Sequence, residues 1–201
     1  MYSQHVVANK RVILIFYAIG IFFLGLISGC ALVPPYGVAD KPETPPIARP
    51  LGPSRRIVQQ IIATWADSQE TLLVALELDA RHIAMAGLSN AGLSLFNLNY
   101  DGKTMASDKS PLLPESLNPE MILNALQLVY WPLAELQRNL PAEWRLEEVD
   151  NKRFLYAGNK EQVEVNYLPP DPVWPQTVVL VNFQYHYRLR IKTISYENIL
   201  E

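Results

Sequence analysis

Period-two alternation runs through most of this chain and is interrupted once by a helical stripe. That switch constrains the fold more than any other feature. From Ile57 onward the pattern is that of strands. Leu72, Val74, Leu76 and Leu78 alternate with Leu73, Ala75, Glu77 and Asp79, which predicts a strand with one buried face. Arg81 to Leu88 predicts a second, with Asp79-Ala80 as the turn between them. Leu93 to Tyr100 predicts a third, and Asp101-Gly102 is a strong hairpin signal that leads into Lys103 to Asp108 as its return partner.

The interruption begins at Asn118-Pro119-Glu120, which sets an N-cap, a first-turn proline and an early acidic residue in the order a helix start prefers. Ile122, Leu126, Val129, Leu133, Leu136 and Leu140 follow at spacings of four and three, one apolar stripe on a helix. Pro132 predicts a break near Trp131, and Pro141 an end. Strands then resume. Trp144 to Val149 and Arg153 to Ala157 flank the tight turn Asp150-Asn151-Lys152, and Gln162 to Leu168 comes next. The loop Pro169-Pro170-Asp171-Pro172 is too rich in proline for a sheet. Thr177 to Phe183 and Tyr187 to Ile194 form a last hairpin. Strands, one broken helix and more strands make an α+β chain. A curved antiparallel sheet with the helix across its concave face would enclose an apolar interior.

The segment before this domain has a different chemistry. Lys10 and Arg11 precede an apolar run from Val12 to Leu26, the order of a secretory signal. Leu26, Ile27, Ser28 and Gly29 then lead directly into Cys30, the only cysteine. These residues resemble a bacterial lipobox. The resemblance implies a diacylglyceryl thioether on Cys30, cleavage before it, and a palmitate-type chain on the new amino group. Each buried methylene contributes roughly 0.8 kcal/mol, so two or three chains hold far more firmly than one. Two other readings compete: an apolar residue within a short membrane span, and a signal cut elsewhere. After Cys30, residues 31–53 hold Pro34, Pro35, Pro42, Pro45, Pro46, Pro50 and Pro53, a composition that favours an extended spacer. The expected organisation is a signal over 1–29, a lipidated tether over 30–53 and a folded domain over 54–201. Ala31 follows the cysteine where aspartate would favour the inner membrane, so the resemblance implies the periplasmic face of the outer membrane.

Composition narrows the function classes. Of 17 basic residues two lie in the signal, which leaves 15 against 20 acidic ones, a net charge of −5. A mildly acidic domain lacks the electrostatic footprint of a nucleic-acid binder. His5, His82 and His186 have no metal-ligand spacing, there is no Gly-rich phosphate loop, and no nucleophile elbow appears. Glu147-Glu148 and Asp150 cluster at a turn, where a solvated hairpin end competes with an acid–base pair. No metal, no cofactor and no enzymatic activity are expected. The aromatic residues Trp65, Trp131, Trp144 and Trp174, with Phe96, Tyr130, Phe183 and Tyr185, read either as core or as the lining of a cavity.

Four segments carry a resemblance. They are Leu88-Ser-Asn-Ala-Gly-Leu-Ser-Leu-Phe-Asn-Leu-Asn-Tyr-Asp-Gly102, Ser110-Pro-Leu-Leu-Pro114, the helix with Tyr130-Trp131-Pro132, and Tyr187-Arg-Leu-Arg-Ile191. Over roughly residues 55–195 the chain resembles a family of bacterial outer-membrane lipoproteins described only as a domain of unknown function. That family is in turn distantly similar to the LolA/LolB lipoprotein carriers. The resemblance implies an unclosed antiparallel β half-barrel with a kinked helical lid over an apolar cavity. It also implies handling of an acyl or lipid-like molecule, an aryl polyene among them, and dealings with the lipoprotein export machinery. The expected cavity wall is Trp65, Leu76 and Phe96. The expected lid is Ile122, Leu126, Val129, Trp131, Pro132 and Leu136. Ala91 and Gly92 stand in the loop that faces the membrane in the carriers, with Ala91 where those have a leucine. The competing function is a scaffold for an envelope or biosynthetic complex, with the same fold filled by its own side chains.

Overall fold

The computed structural model describes residues 48–114, 117–168 and 175–199. The signal, the lipobox with Cys30, the loop over 169–172 and Trp174 lie outside the described residues. The chain from Thr44 to Glu201 clusters as one compact unit. All of its core side chains fall between Ala48 and Ile191, so this part is a self-contained folding unit.

Ten strands form one antiparallel sheet. In chain order they are β1 (Arg55–Trp65), β2 (Ser68–Leu78), β3 (Ile83–Ser89), β4 (Ser94–Tyr100) and β5 (Met105–Lys109). Then come helix α1 (Pro119–Tyr130) and the short helix α2 (Leu133–Gln137). The second set is β6 (Trp144–Val149), β7 (Lys152–Ala157), β8 (Lys160–Tyr167), β9 (Thr177–Asn182) and β10 (Tyr187–Asn198). The sheet order is β5-β4-β3-β2-β1-β10-β9-β8-β7-β6. Two five-strand meanders therefore meet at their ends in the chain, where β1 pairs with β10 from Arg55↔Asn198 to Trp65↔Tyr187. β5 and β6 are the two edges, so the sheet is unclosed. The half-barrel with two helical pieces is the architecture the resemblance implies.

The predicted strands correspond to β2 through β10 with shifts of a few residues at their ends, the largest at β2 and β10. The sequence pattern did not delimit β1, because Val58, Gln59 and Gln60 break its alternation. Gln59 nonetheless faces inward and is fully buried. Its Nε2 donates to the Tyr130 hydroxyl at 2.7 Å, while its Oε1 has no hydrogen-bond partner. A register shift in β1–β10 falls between Val58 and Gln59. Further shifts occur at Gly87/Leu88 and Leu155/Tyr156. Each adds local twist, which helps a wide sheet to curl.

The hairpin turns use the expected chemistry. The Asp101 carboxylate accepts from the backbone N–H groups of Lys103 and Thr104, at 2.8 and 2.7 Å, and Gly102 takes a φ of +86°. Those backbone donors hold the Asp101 carboxyl below its usual range, Thr104 contributing most. Helix α1 starts as predicted. The Asn118 side chain accepts from Glu120 N at 2.9 Å, and Pro119 opens the first turn.

Inward residues of both meanders form one core. It is built from Ile57, Ile61, Val74, Leu76, Phe96 and Leu98 on one side, and Val165, Val178, Leu180 and Ile191 on the other. Ile122, Leu123, Leu126 and Val129 of α1 complete it. Gly87 lies opposite Phe96 in register, and a Cβ there would overlap the Phe96 ring. The ring covers the gap that the glycine leaves. Gly87→Ala is expected to displace it and destabilise the domain by about 1–3 kcal/mol, read from the urea midpoint at constant slope.

Candidate functional site

The site is defined by how α1 is held. One stripe of the helix, Ile122, Leu126 and Val129, is buried in the core. The neighbouring stripe, Met121, Ala125 and Leu128, borders a cleft between α1 and the β6–β10 half of the sheet. The cleft floor is apolar: Ala125 and Leu128 face Trp144, Leu155, Val163 and Leu180. Asn124, Asn182, Gln184, Tyr185 and Tyr187 also line it. Its volume is about 40 Å³. Ligand pockets usually enclose about 300–1,000 Å³, so the cleft as it stands is narrow.

The C-terminal end of α1 is pinned from three directions. Arg153 on β7 is buried, and its Nη1 donates to the carbonyls of Leu128 and Trp131 at 2.7 and 2.9 Å. Cations are favourable where a helix leaves carbonyls unmatched, and α1 has no basic residue of its own in its last turn. Glu148 on β6 completes the arrangement, receiving Arg153 Nη2 at 2.8 Å. From β8, the Tyr167 hydroxyl donates to the Val129 carbonyl at 2.6 Å. Burial pushes that hydroxyl up to about 12 and keeps it a neutral donor.

The third direction is the chain just before β1. Gln127 is buried, and its side-chain amide matches the backbone of Ala48 in both senses. Ala48 N donates to Gln127 Oε1 and Gln127 Nε2 donates to Ala48 O, each at 2.7 Å. Trp131 Nε1 donates to Arg49 O at 2.9 Å. Ala48 and Pro50 are buried, and Leu51 packs on the core. Residues 48–51 thus form a strap across the end of α1, within the segment read from sequence as tether.

Each expected cavity, lid and loop residue has a definite place. Leu76, Phe96, Ile122, Leu126, Val129 and Trp131 are buried in the core, and Trp65 and Leu136 pack partly buried against it. Pro132 is exposed between the two helices. None of these nine lines the cleft. Trp131, with its ring hydrogen-bonded and its carbonyl held by Arg153, is a fixed point of the lid. Ala91 and Gly92 are exposed at the tip of the β3–β4 turn, with Gly92 at a φ of +77°. The apolar side chain presented by that turn is Leu93, 54% exposed. Leu112 is 63% exposed at the same end of the sheet, in a loop tied back by Ser110 N to Leu95 O.

Glu147, Glu148 and Asp150 stay together at the end of the β6–β7 hairpin, where Glu147 pairs with Arg145. His82 and His186 occupy separate turns, and Glu148 is committed to Arg153. Among the described residues, no three His, Cys, Asp or Glu side chains group as a metal site. No helix among them is long and apolar enough to cross a membrane. Two larger hollows, of about 220 and 230 Å³, lie on the outer face of β1–β5. They are open troughs over small side chains such as Ala75, Ala84 and Ala86. The smaller cleft beside α1 is the better candidate because it is the more enclosed of the three, and specific pockets are concave.

The strap contact is testable. Gln127→Leu is expected to speed amide exchange at Ala48 at least tenfold and to lower stability by about 1 kcal/mol. Unchanged exchange at Ala48 would show that the Gln127 contact does not hold the strap.

A family model described as protein of unknown function (DUF3261) matches residues 56–195, and the chain belongs to that family. No curated protein matches it. Two solved structures are similar. One is a LolA superfamily protein from Nitrosomonas europaea, 8% identical, with 74% of this chain and 87% of that one covered and a TM-score of 0.42. The other is a domain described as an outer membrane lipoprotein-sorting protein from Vibrio parahaemolyticus, 10% identical, with the same coverage and a TM-score of 0.41. These likenesses concern the fold.

Proposed function

We propose that this DUF3261 protein is an outer-membrane-anchored lipoprotein that binds or carries a lipid-like molecule. Acyl chains on Cys30 anchor it, and an apolar, lipid-like molecule occupies the cleft between α1 and the second meander. The carrying observation is that cleft, with its wall of Leu128, Trp144, Leu155, Val163 and Leu180 beside a helix pinned at one end. The hydrogen bonds from Arg153, Tyr167, Gln127 and Trp131 all fall in the last turn of α1 and at Trp131. The first two turns place Ile122, Leu123 and Leu126 in the core, and apolar contacts of this kind reshape at low cost compared with buried polar pairs. Cargo enters by lifting the Met121 end of the helix while the Trp131 end stays in place. Burial of hydrocarbon supplies the affinity, at about 25 cal/mol per Å², and no covalent step is needed. Leu93 and Leu112 form an apolar rim at the end where α1 begins, suited to contact with the bilayer or with cargo in transit. Ala91 and Gly92 shape the turn that presents Leu93.

The narrow cleft favours a second reading, a scaffold lipoprotein whose interior is permanently filled by its own side chains. Native mass spectrometry of residues 44–201, purified from a bacterial host, separates the two. The carrier retains lipid, and Met121→Trp, which fills the cleft, abolishes that retention while the melting temperature is maintained. A wild-type domain free of lipid that also fails to take up added amphiphile is the scaffold. Anchoring has its own test. Cys30→Ser is expected to move the processed protein from the membrane to the soluble periplasmic fraction. A processed serine form that stays with the outer membrane would refute the acyl anchor.

A further inference from the structure

The polar part of the cleft has a consistent chemistry. Asn124 on α1 and Asn182, Gln184, Tyr185 and Tyr187 around the β9–β10 turn are all neutral hydrogen-bonding groups. None of the lining side chains is an Asp, Glu, Lys, Arg or His. The polar groups are organised rather than loose. Asn182 is buried, its Oδ1 accepts from Tyr185 N at 2.8 Å, and its Nδ2 donates to the Tyr187 hydroxyl at 3.3 Å. Burial pushes the Tyr187 hydroxyl up to about 12, so it stays a neutral donor at any physiological pH. The buried cation of this half-sheet, Arg153, is spent on α1 and Glu148 and does not line the cleft.

We propose that the cleft selects an amphiphile with an uncharged head, an ester, amide or hydroxyl joined to a hydrocarbon tail, and rejects ionised heads. This rests on the carrier reading of the same cleft and adds its specificity. The physical reason is desolvation. A carboxylate, phosphate or ammonium brought beside Asn182 and Tyr187 leaves water and meets no counter-charge, and such a transfer is costly unless the charge is paired. A neutral head loses less hydration and recovers it through amide and phenol hydrogen bonds. The tail lies against Leu155, Val163 and Leu180, and the head sits by the β9–β10 turn.

The test compares heads on a constant tail. Residues 44–201 are titrated with monolauroylglycerol, laurate and dodecylammonium below their micellar concentrations, at a mildly alkaline pH where the acid and the amine are ionised. Tryptophan fluorescence reports binding, since Trp144 lies in the cleft wall. Monolauroylglycerol is expected to bind at least about tenfold more tightly than either ion. Gln184→Lys, at a half-buried position of the β9–β10 turn, is expected to bring laurate up to the affinity of the glyceride and leave dodecylammonium weak. Laurate or dodecylammonium binding the wild type as tightly as the glyceride would overturn the head-group selectivity and leave the carrier reading standing. A Gln184→Lys form that gains nothing for laurate would also overturn it. Failure of all three to bind would remove the carrier reading, and this inference with it.

Discussion

A ten-stranded sheet with one apolar face has more surface to cover than the described residues have helix. At about 4.8 Å per strand spacing the flattened sheet would be about 43 Å wide. Helix α1, with 12 residues, is about 18 Å long. The only way to bury the inner face is to curl the sheet until its two halves share the helix. The bulges at Val58/Gln59, Gly87/Leu88 and Leu155/Tyr156 assist that curl. Ala48, Pro50 and Leu51 cover part of what the helix leaves open. Everything then depends on keeping α1 in one place.

That placement is polar in origin, though the core is apolar. A hydrophobic stripe tells a helix which way to face but tolerates sliding along a smooth sheet. Arg153, Tyr167 and Gln127 remove that freedom because each meets a particular carbonyl or amide. Buried groups of this kind contribute modest net stability when matched and cost much more when mismatched. The register of helix on sheet is therefore set at the Trp131 end. The Met121 end packs Ile122 and Leu123 into the core, and the cleft lies beside it. The same division explains why the Trp131–Pro132 break works as a fixed corner between α1 and α2.

The candidate site was only partly legible before the fold was known. The stripe Ile122, Leu126 and Val129 was readable as the inward face of the helix, and it is inward. Being inward made it core. The cleft belongs to the flanking stripe, Met121, Ala125 and Leu128, whose spacing of four and three was equally visible in the sequence. Its partners Leu155, Val163 and Leu180 are ordinary strand residues that come together only because β7, β8 and β9 are neighbours. Gln127 and Arg153 carried no local signal at all. A glutamine in a helix and an arginine in a strand read as surface residues, and their burial depends on acceptors contributed from Ala48 and from the end of α1.

By itself the sequence determined the elements other than β1. Alternation, turn dipeptides, the Asn118-Pro119 cap and the Pro132 break act over a few residues, so they are written locally. Composition also determined the mildly acidic charge balance, −5 after the signal. Tertiary structure decided the rest. It joined β1 to β10, so that two separate meanders became one sheet, and it buried Gln59 where an alternation rule would have expected an apolar residue. It made residues 48–51 part of the domain, and it left a narrow apolar cleft with a neutral polar end beside α1. These depend on contacts between residues far apart in the chain. Their energies come from matching one polar group to another across that distance, and no short window of sequence contains both partners.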